Sequence, residues 1–111
     1  MSSIHEDLVE LLNNELASLL DGEPQFLYDG IQVKLKSGPD LQIIYPSAEE
    51  YVFSWEQDSI TLRIDTAPLH KKLSTFPNHF HSGDEVKDDN ITSIQNSPGE
   101  NLEKVLRFIG G

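Results

Sequence analysis

Tyr51-Val-Phe-Ser-Trp-Glu-Gln-Asp-Ser-Ile-Thr-Leu-Arg-Ile-Asp65 reads as a β-hairpin. Tyr51, Phe53 and Trp55 alternate with Val52, Ser54 and Glu56, and Ile60, Leu62 and Ile64 alternate with Thr61, Arg63 and Asp65. That period of two belongs to strands with one buried face. A two-residue turn at Gln57-Asp58 sets Trp55, Phe53 and Tyr51 opposite Ile60, Leu62 and Ile64, with all six on one side of the sheet. A one-residue slip would set the aromatic face against Thr61, Arg63 and Asp65, so the register is strongly specified. The aromatic set belongs to the core rather than to a base-stacking platform, because its partners are aliphatic and the chain has few other large core residues.

Working outward, Ile31, Val33 and Leu35 alternate with polar residues, as do Leu41, Ile43 and Tyr45. A three-residue loop Ser37-Gly38-Pro39 would place Leu35 opposite Leu41 and Val33 opposite Ile43, with Lys36 and Asp40 closing the turn as a charge pair. Ser3-Ile-His-Glu6 has the spacing of a helix capping box. Leu8, Leu11, Leu12, Leu16, Leu19 and Leu20 then recur at three- and four-residue steps, and Gly22 and Pro24 supply a stop. Ser97-Pro98-Gly99-Glu100 is a second capping box, opening a short helix whose apolar stripe is Leu102, Val105, Leu106 and Ile109. Residues 91–94 are expected to form a short strand. These elements predict one α+β domain over residues 1–111: an N-terminal helix packed on a four-stranded antiparallel sheet of two hairpins, a histidine-rich loop, and a short C-terminal helix.

The 37% hydrophobic content, with nine aromatics among 111 residues, suits a single modest core. The formal charge of −11 disfavours any partner held by many phosphate contacts. The acidity is uneven. Residues 1–29 carry seven acids and no Lys or Arg, whereas residues 30–76 carry six acids and five bases. The acidic first helix reads as a solvated face or as a docking surface for a basic partner. The lack of cysteine excludes disulfides and thiolate metal sites and permits a cytoplasmic location. No signal-peptide pattern or bilayer-length apolar run is present, so no membrane partner is expected. Short edge strands are compatible with a homodimer without requiring one.

Chemistry concentrates between Arg63 and Asp84, where Arg63, Asp65, His70, His79, His81 and Asp84 gather three of the four histidines in a stretch broken by Pro68, Pro77 and Gly83. Imidazole exchanges protons near neutral pH and is a frequent metal ligand. At His79-x-His81, rings two apart project to one side of an extended backbone. Both can meet one divalent ion, completed by His70 and by Asp84 or Asp65. The blander alternative is a solvated histidine pair making ordinary hydrogen bonds, with Arg63 in a cross-strand ion pair with Glu56 or Glu50. Alternatively Arg63 steadies an oxyanion or phosphate while a histidine acts as general acid or base, a combination that suits a ribonuclease and requires no metal.

Arg63-x-Asp65-x-Ala67-Pro68-x-His70, then Phe76-Pro77-x-His79-x-His81-x-Gly83-Asp84 and a closing Leu102-Glu-Lys-Val-Leu106 helix, resemble the TumE family of small bacterial proteins. The likeness runs from about Tyr51 to the C-terminus and extends weakly to the first helix. Members are toxins of two-gene toxin–antitoxin modules, encoded beside a small helix-turn-helix antitoxin. The resemblance therefore implies a type II toxin, with Arg63, Asp65, His70, His79, His81 and Asp84 as the matching site positions, and a cognate antitoxin as partner. An RNA substrate would have to meet a local patch around Arg63, Lys71 and Lys72, or else the toxic step is not RNA cleavage. The competing function class is a non-catalytic acidic binding module whose histidines contact a metal or partner.

Overall fold

The computed structural model describes residues 3–110. Helix α1 (Ile4–Asn14) begins at Ser3, whose hydroxyl accepts from the Glu6 amide while the Glu6 carboxylate accepts from the Ser3 amide. It ends at Asn14, well short of Gly22. Asn13 and Asn14 favour helix poorly, and a 3₁₀ turn (Ala17–Leu19) redirects the chain so that Leu20 bridges Leu35. Leu16 and Leu20 still reach the core, through a turn instead of a longer helix. The C-terminal α2 (Pro98–Ile109) has the expected capping box at Ser97 and Glu100, and Leu102, Val105, Leu106 and Ile109 are all buried.

The sheet has seven antiparallel strands in sequence order: β1 (Gln25–Phe26), β2 (Ile31–Lys34), β3 (Asp40–Ser47), β4 (Glu50–Gln57), β5 (Ile60–Asp65), β6 (His79–Ser82) and β7 (Glu85–Asp88). The two hairpins anticipated from alternation are β2–β3 and β4–β5. The expected four-stranded sheet is therefore its centre, extended by β1 on one side and by β6–β7 on the other. The short outer strands lack the signal that identifies the others. His79-Phe80-His81-Ser82 offers one apolar side chain toward the core, and Glu85-Val-Lys-Asp88 offers none. The legible clue was Gly83-Asp84, a two-residue turn of hairpin type between Ser82 and its partner Glu85. Residues 91–94, expected as a strand, are irregular, and the Ile91 and Thr92 amides donate to the Asp89 carboxylate instead of to a neighbouring strand.

Both hairpins differ from the expected register by two positions, which preserves every face. In β4–β5 the turn is Asp58-Ser59, with φ of 53° and 65°, the consecutive left-handed residues of a tight hairpin turn. Trp55 accordingly faces Leu62, and Phe53 faces Ile64. Ile60 falls at the tip, 46% exposed, while the Tyr51 amide donates to Thr66 Oγ1 at 3.0 Å. In β2–β3, Val33 faces Leu41 and Lys34, not Lys36, faces Asp40. Gly30 allows a close approach, since a Cβ there would stand 2.3 Å from the Ile43 carbonyl oxygen.

The helices cover one face of the sheet, α1 packing on β3 and α2. Leu8, Leu12, Leu102 and Leu106 bury against Ile43, Phe53 and their neighbours in one continuous core. Trp55 meets Phe80 and Phe108 edge-on, each at 6.2 Å. Where β3 departs from regular pairing beyond Ile44, the Tyr45 amide donates to His5 Nε2 at 3.0 Å, so the helix histidine supplies the acceptor.

Polar groups inside this core are tied together. Asn78 Nδ2 donates to the Tyr51 hydroxyl at 2.7 Å and to Asp89 at 3.0 Å, and Tyr51 donates to Thr92 at 2.8 Å. Asn101 donates to the Tyr45 hydroxyl at 3.0 Å. Burial raises both phenols above their ordinary range despite these bonds, which keeps them neutral. Asn78 immediately precedes His79, so this network fixes the entry to β6.

Candidate active site

The candidate site residues lie on the opposite face of the sheet. Arg63 lies directly across from His81, and Asp65 from His79, so alternation on two paired strands delivers four candidate site residues to one surface. His79 and His81 are therefore strand residues, although the prolines and glycine around them suggest a loop. The loop is the β5–β6 connection, residues 66–78, and it carries His70.

That connection is pinned along its length. The Ala67 amide donates to Asp65 at 2.6 Å, and Ser74 donates to Asp88 through its amide at 3.0 Å and its hydroxyl at 2.8 Å. Hydrogen bonds from Ser74 and from Thr75 hold the half-buried Asp88 carboxyl below its usual range. Thr75 donates to the Asn78 carbonyl at 2.8 Å and accepts from the Asp89 amide at 2.9 Å. Sequence reading does not find the bonds to Asp88 and Asp89, because they join residues 13 or 14 positions apart whose proximity depends on β7 lying beside β6.

His70 is thereby brought over the strand face. Its ring centroid lies 4.7 Å from that of His79 and 6.0 Å from that of His81, and His79 and His81 are 4.7 Å apart. Each ring presents one nitrogen to a common centre, and these three atoms all lie within 4.8 Å of one another. His79 is buried and forms the floor, His70 and His81 are half-buried, and Arg63 stands exposed at the rim. His79 Nδ1 is 3.2 Å from the Pro77 carbonyl oxygen. A carbonyl only accepts, so Nδ1 carries a proton, and in the neutral ring Nε2 holds the free lone pair.

Arg63 pairs with Asp65 through a guanidinium nitrogen and a carboxylate oxygen, and not with Glu56 or Glu50. Burial alone would raise the Asp65 carboxyl, but the Ala67 amide, the Arg63 hydrogen bond and charge, and His79 outweigh it and hold the carboxyl below its ordinary range. Asp65 is thus an anion that orients Arg63 at the mouth of the cluster. His81 shifts downward, first through burial and then through the neighbouring His79 and Arg63. A neutral, partly accessible imidazole of this kind is suited to accept a proton.

Asp84 does not join this group. It occupies the β6–β7 turn beside Gly83, whose φ is 59°, and is exposed; among the described residues, the set of ligand-type atoms that converge comprises the three rings alone. Its position beside Gly83 is that of a turn residue. A groove of about 390 Å³ is lined by His70 with Leu69, Lys71, Lys72, Leu73 and Val86, which places two exposed cations on the His70 side of the cluster. Among the described residues no helix is long and apolar enough to cross a membrane.

No curated protein and no solved structure matches the chain. The family model described as Toxin TumE matches residues 16–111, which takes in the whole sheet, the histidine cluster and α2. The N-terminal limit of that match falls just after α1, and by its extent the chain belongs to the Toxin TumE family.

Proposed function

We propose that this toxin cleaves RNA at the His70–His79–His81 cluster, by proton transfer assisted by Arg63, and is neutralised by a cognate antitoxin of the small helix-turn-helix kind. The observation that carries the reading is the convergence of three imidazoles beside a guanidinium held by a buried carboxylate. In the reaction, one half-buried ring removes the proton of a ribose 2′-hydroxyl as its oxygen attacks the adjacent phosphorus. The other ring protonates the departing 5′-oxygen, leaving a 2′,3′-cyclic phosphate and a free 5′-hydroxyl. His81, held toward its neutral form, suits the base, which leaves the acid role to the other half-buried ring, His70. Arg63 faces the phosphate oxygens, where charge accumulates in the transition state. His79 and Asp65 support the reacting groups from behind.

The net charge of −11 confines RNA contact to a small area. Arg63, Lys71 and Lys72 supply that area, since all three are exposed, Arg63 lies across from His81, and the two lysines line a groove with His70. The test uses purified protein and RNA in the presence of a chelator. Cyclic phosphate ends should accumulate, an all-2′-deoxy substrate should resist, and simultaneous replacement of His70, His79 and His81 should abolish both cleavage and growth arrest. Growth arrest that survives the triple replacement would refute the catalytic reading and favour the acidic binding module.

A further inference from the structure

We infer that His70, His79 and His81 also form a three-nitrogen site for a zinc-class divalent ion, and that its occupancy excludes the proton-transfer chemistry of the same rings. The three potential donor atoms already lie within 4.8 Å of one another, two from β6 and one from the pinned connection. On a tetrahedral ion with metal–nitrogen bonds of ~2.1 Å, donors stand about 3.4 Å apart, so the rings need only swing inward by roughly an ångström. His79 is prepared for this: its Nδ1–H is held by the Pro77 carbonyl, the arrangement that orients a metal-bound imidazole and leaves Nε2 as the ligand.

The set ends at three. Asp65 is adjacent, but its oxygens are engaged by the Ala67 amide and by Arg63. Pairing with Asp65 also offsets the Arg63 charge, which removes an obstacle to a dication at the neighbouring rings. Neutral imidazoles, with no thiolate in the chain, select zinc, nickel, copper or cobalt over magnesium or calcium. Three protein ligands leave the fourth position to water.

The exclusion rests on the ribonuclease reading, whereas the site itself does not. A nitrogen whose lone pair is bound to a metal can neither accept nor deliver a proton, so one ion would silence both the acid and the base. Untagged, chelator-stripped protein titrated with zinc chloride should bind one ion per chain by calorimetry, with a raised melting temperature. Cobalt chloride should produce the visible bands of a four-coordinate ion. His70→Ala, on the half-buried connection, should abolish both signals while leaving the circular dichroism spectrum unchanged. His81→Ala, at the other half-buried ring, should abolish both signals as well.

Absence of stoichiometric binding by the wild type, or undiminished binding by folded His70→Ala, would overturn the site. RNA cleavage measured alongside should fall to background at the zinc concentration that saturates binding. Cleavage that persists or rises at saturation would overturn the exclusion. Binding with no cleavage under any condition would uphold the site and refute the ribonuclease reading.

Discussion

The two faces of β5 and β6 are built from the same four-residue window of paired strand, yet they obey different rules. On the helix side, Ile64 and Phe80 are opposed and buried beneath α2 and the aromatic cluster. On the other side, Asp65 faces His79 and Arg63 faces His81, all polar, and the β5–β6 connection lies over them through His70 and Ala67. The helix-side residues stabilise the sheet by removing apolar surface from water. The histidine side takes its geometry from that sheet while contributing little apolar burial of its own. A packed core on one side lets a polar arrangement of imidazoles, guanidinium and carboxylate persist on the other.

The strongest way to break this contrast is Phe53→Ala, which opens a cavity at the centre of the core and should cost about 3–5 kcal/mol. Thr61→Ala, exposed on the opposite face, should change stability by less than about 0.5 kcal/mol. Equal losses for the two in denaturant melts would show that the faces do not divide stability as described.

Asn78→Ala tests the junction between the faces. It removes the donor to the Tyr51 hydroxyl and Asp89 and should cost roughly 1–3 kcal/mol, because buried acceptors lose their partner. Since His79 follows directly, RNA cleavage should fall by more than the loss of folded protein accounts for. Activity that tracks the folded fraction alone would uncouple the network from the site.

Arg63→Lys sharpens the functional side. The side chain is 48% exposed, so the Asp65 pair contributes modestly and stability should shift by less than about 1 kcal/mol. Most cleavage should nevertheless disappear, because an ammonium does not reproduce the planar fork that can hold Asp65 and a phosphate together. A folded, fully active variant would remove Arg63 from the mechanism.

The smallest effect is expected at Asp84. In the β6–β7 turn and outside the histidine cluster, Asp84→Ala should leave cleavage unchanged and stability within about 0.5 kcal/mol. A large loss of activity, measured against an unchanged melting curve, would return Asp84 to the site.

What the sequence by itself determined was local and periodic. Alternation set the faces of β2 to β5, and a register displaced by two left them intact because side chains repeat every second residue. Both capping boxes fixed helix starts, since Ser and Glu three positions apart satisfy the first amides without outside help. The residue types at the site were also visible in the sequence, as three histidines beside Arg63 and Asp65.

Tertiary structure decided what those residues do together. Strands β6 and β7 exist because β5 offers an edge to pair with, not because four residues carry enough alternation to announce themselves. Pairing Arg63 with Asp65 in place of Glu56 or Glu50 depended on the buried environment that the connection creates over Asp65. The convergence of His70 on His79 and His81 required Ser74 and Thr75 to find Asp88, and Asn78 to find Tyr51 and Asp89. Those bonds join residues between 11 and 27 positions apart. Local propensity acts over a few residues, so a site closed by contacts at that separation is settled only when the chain folds.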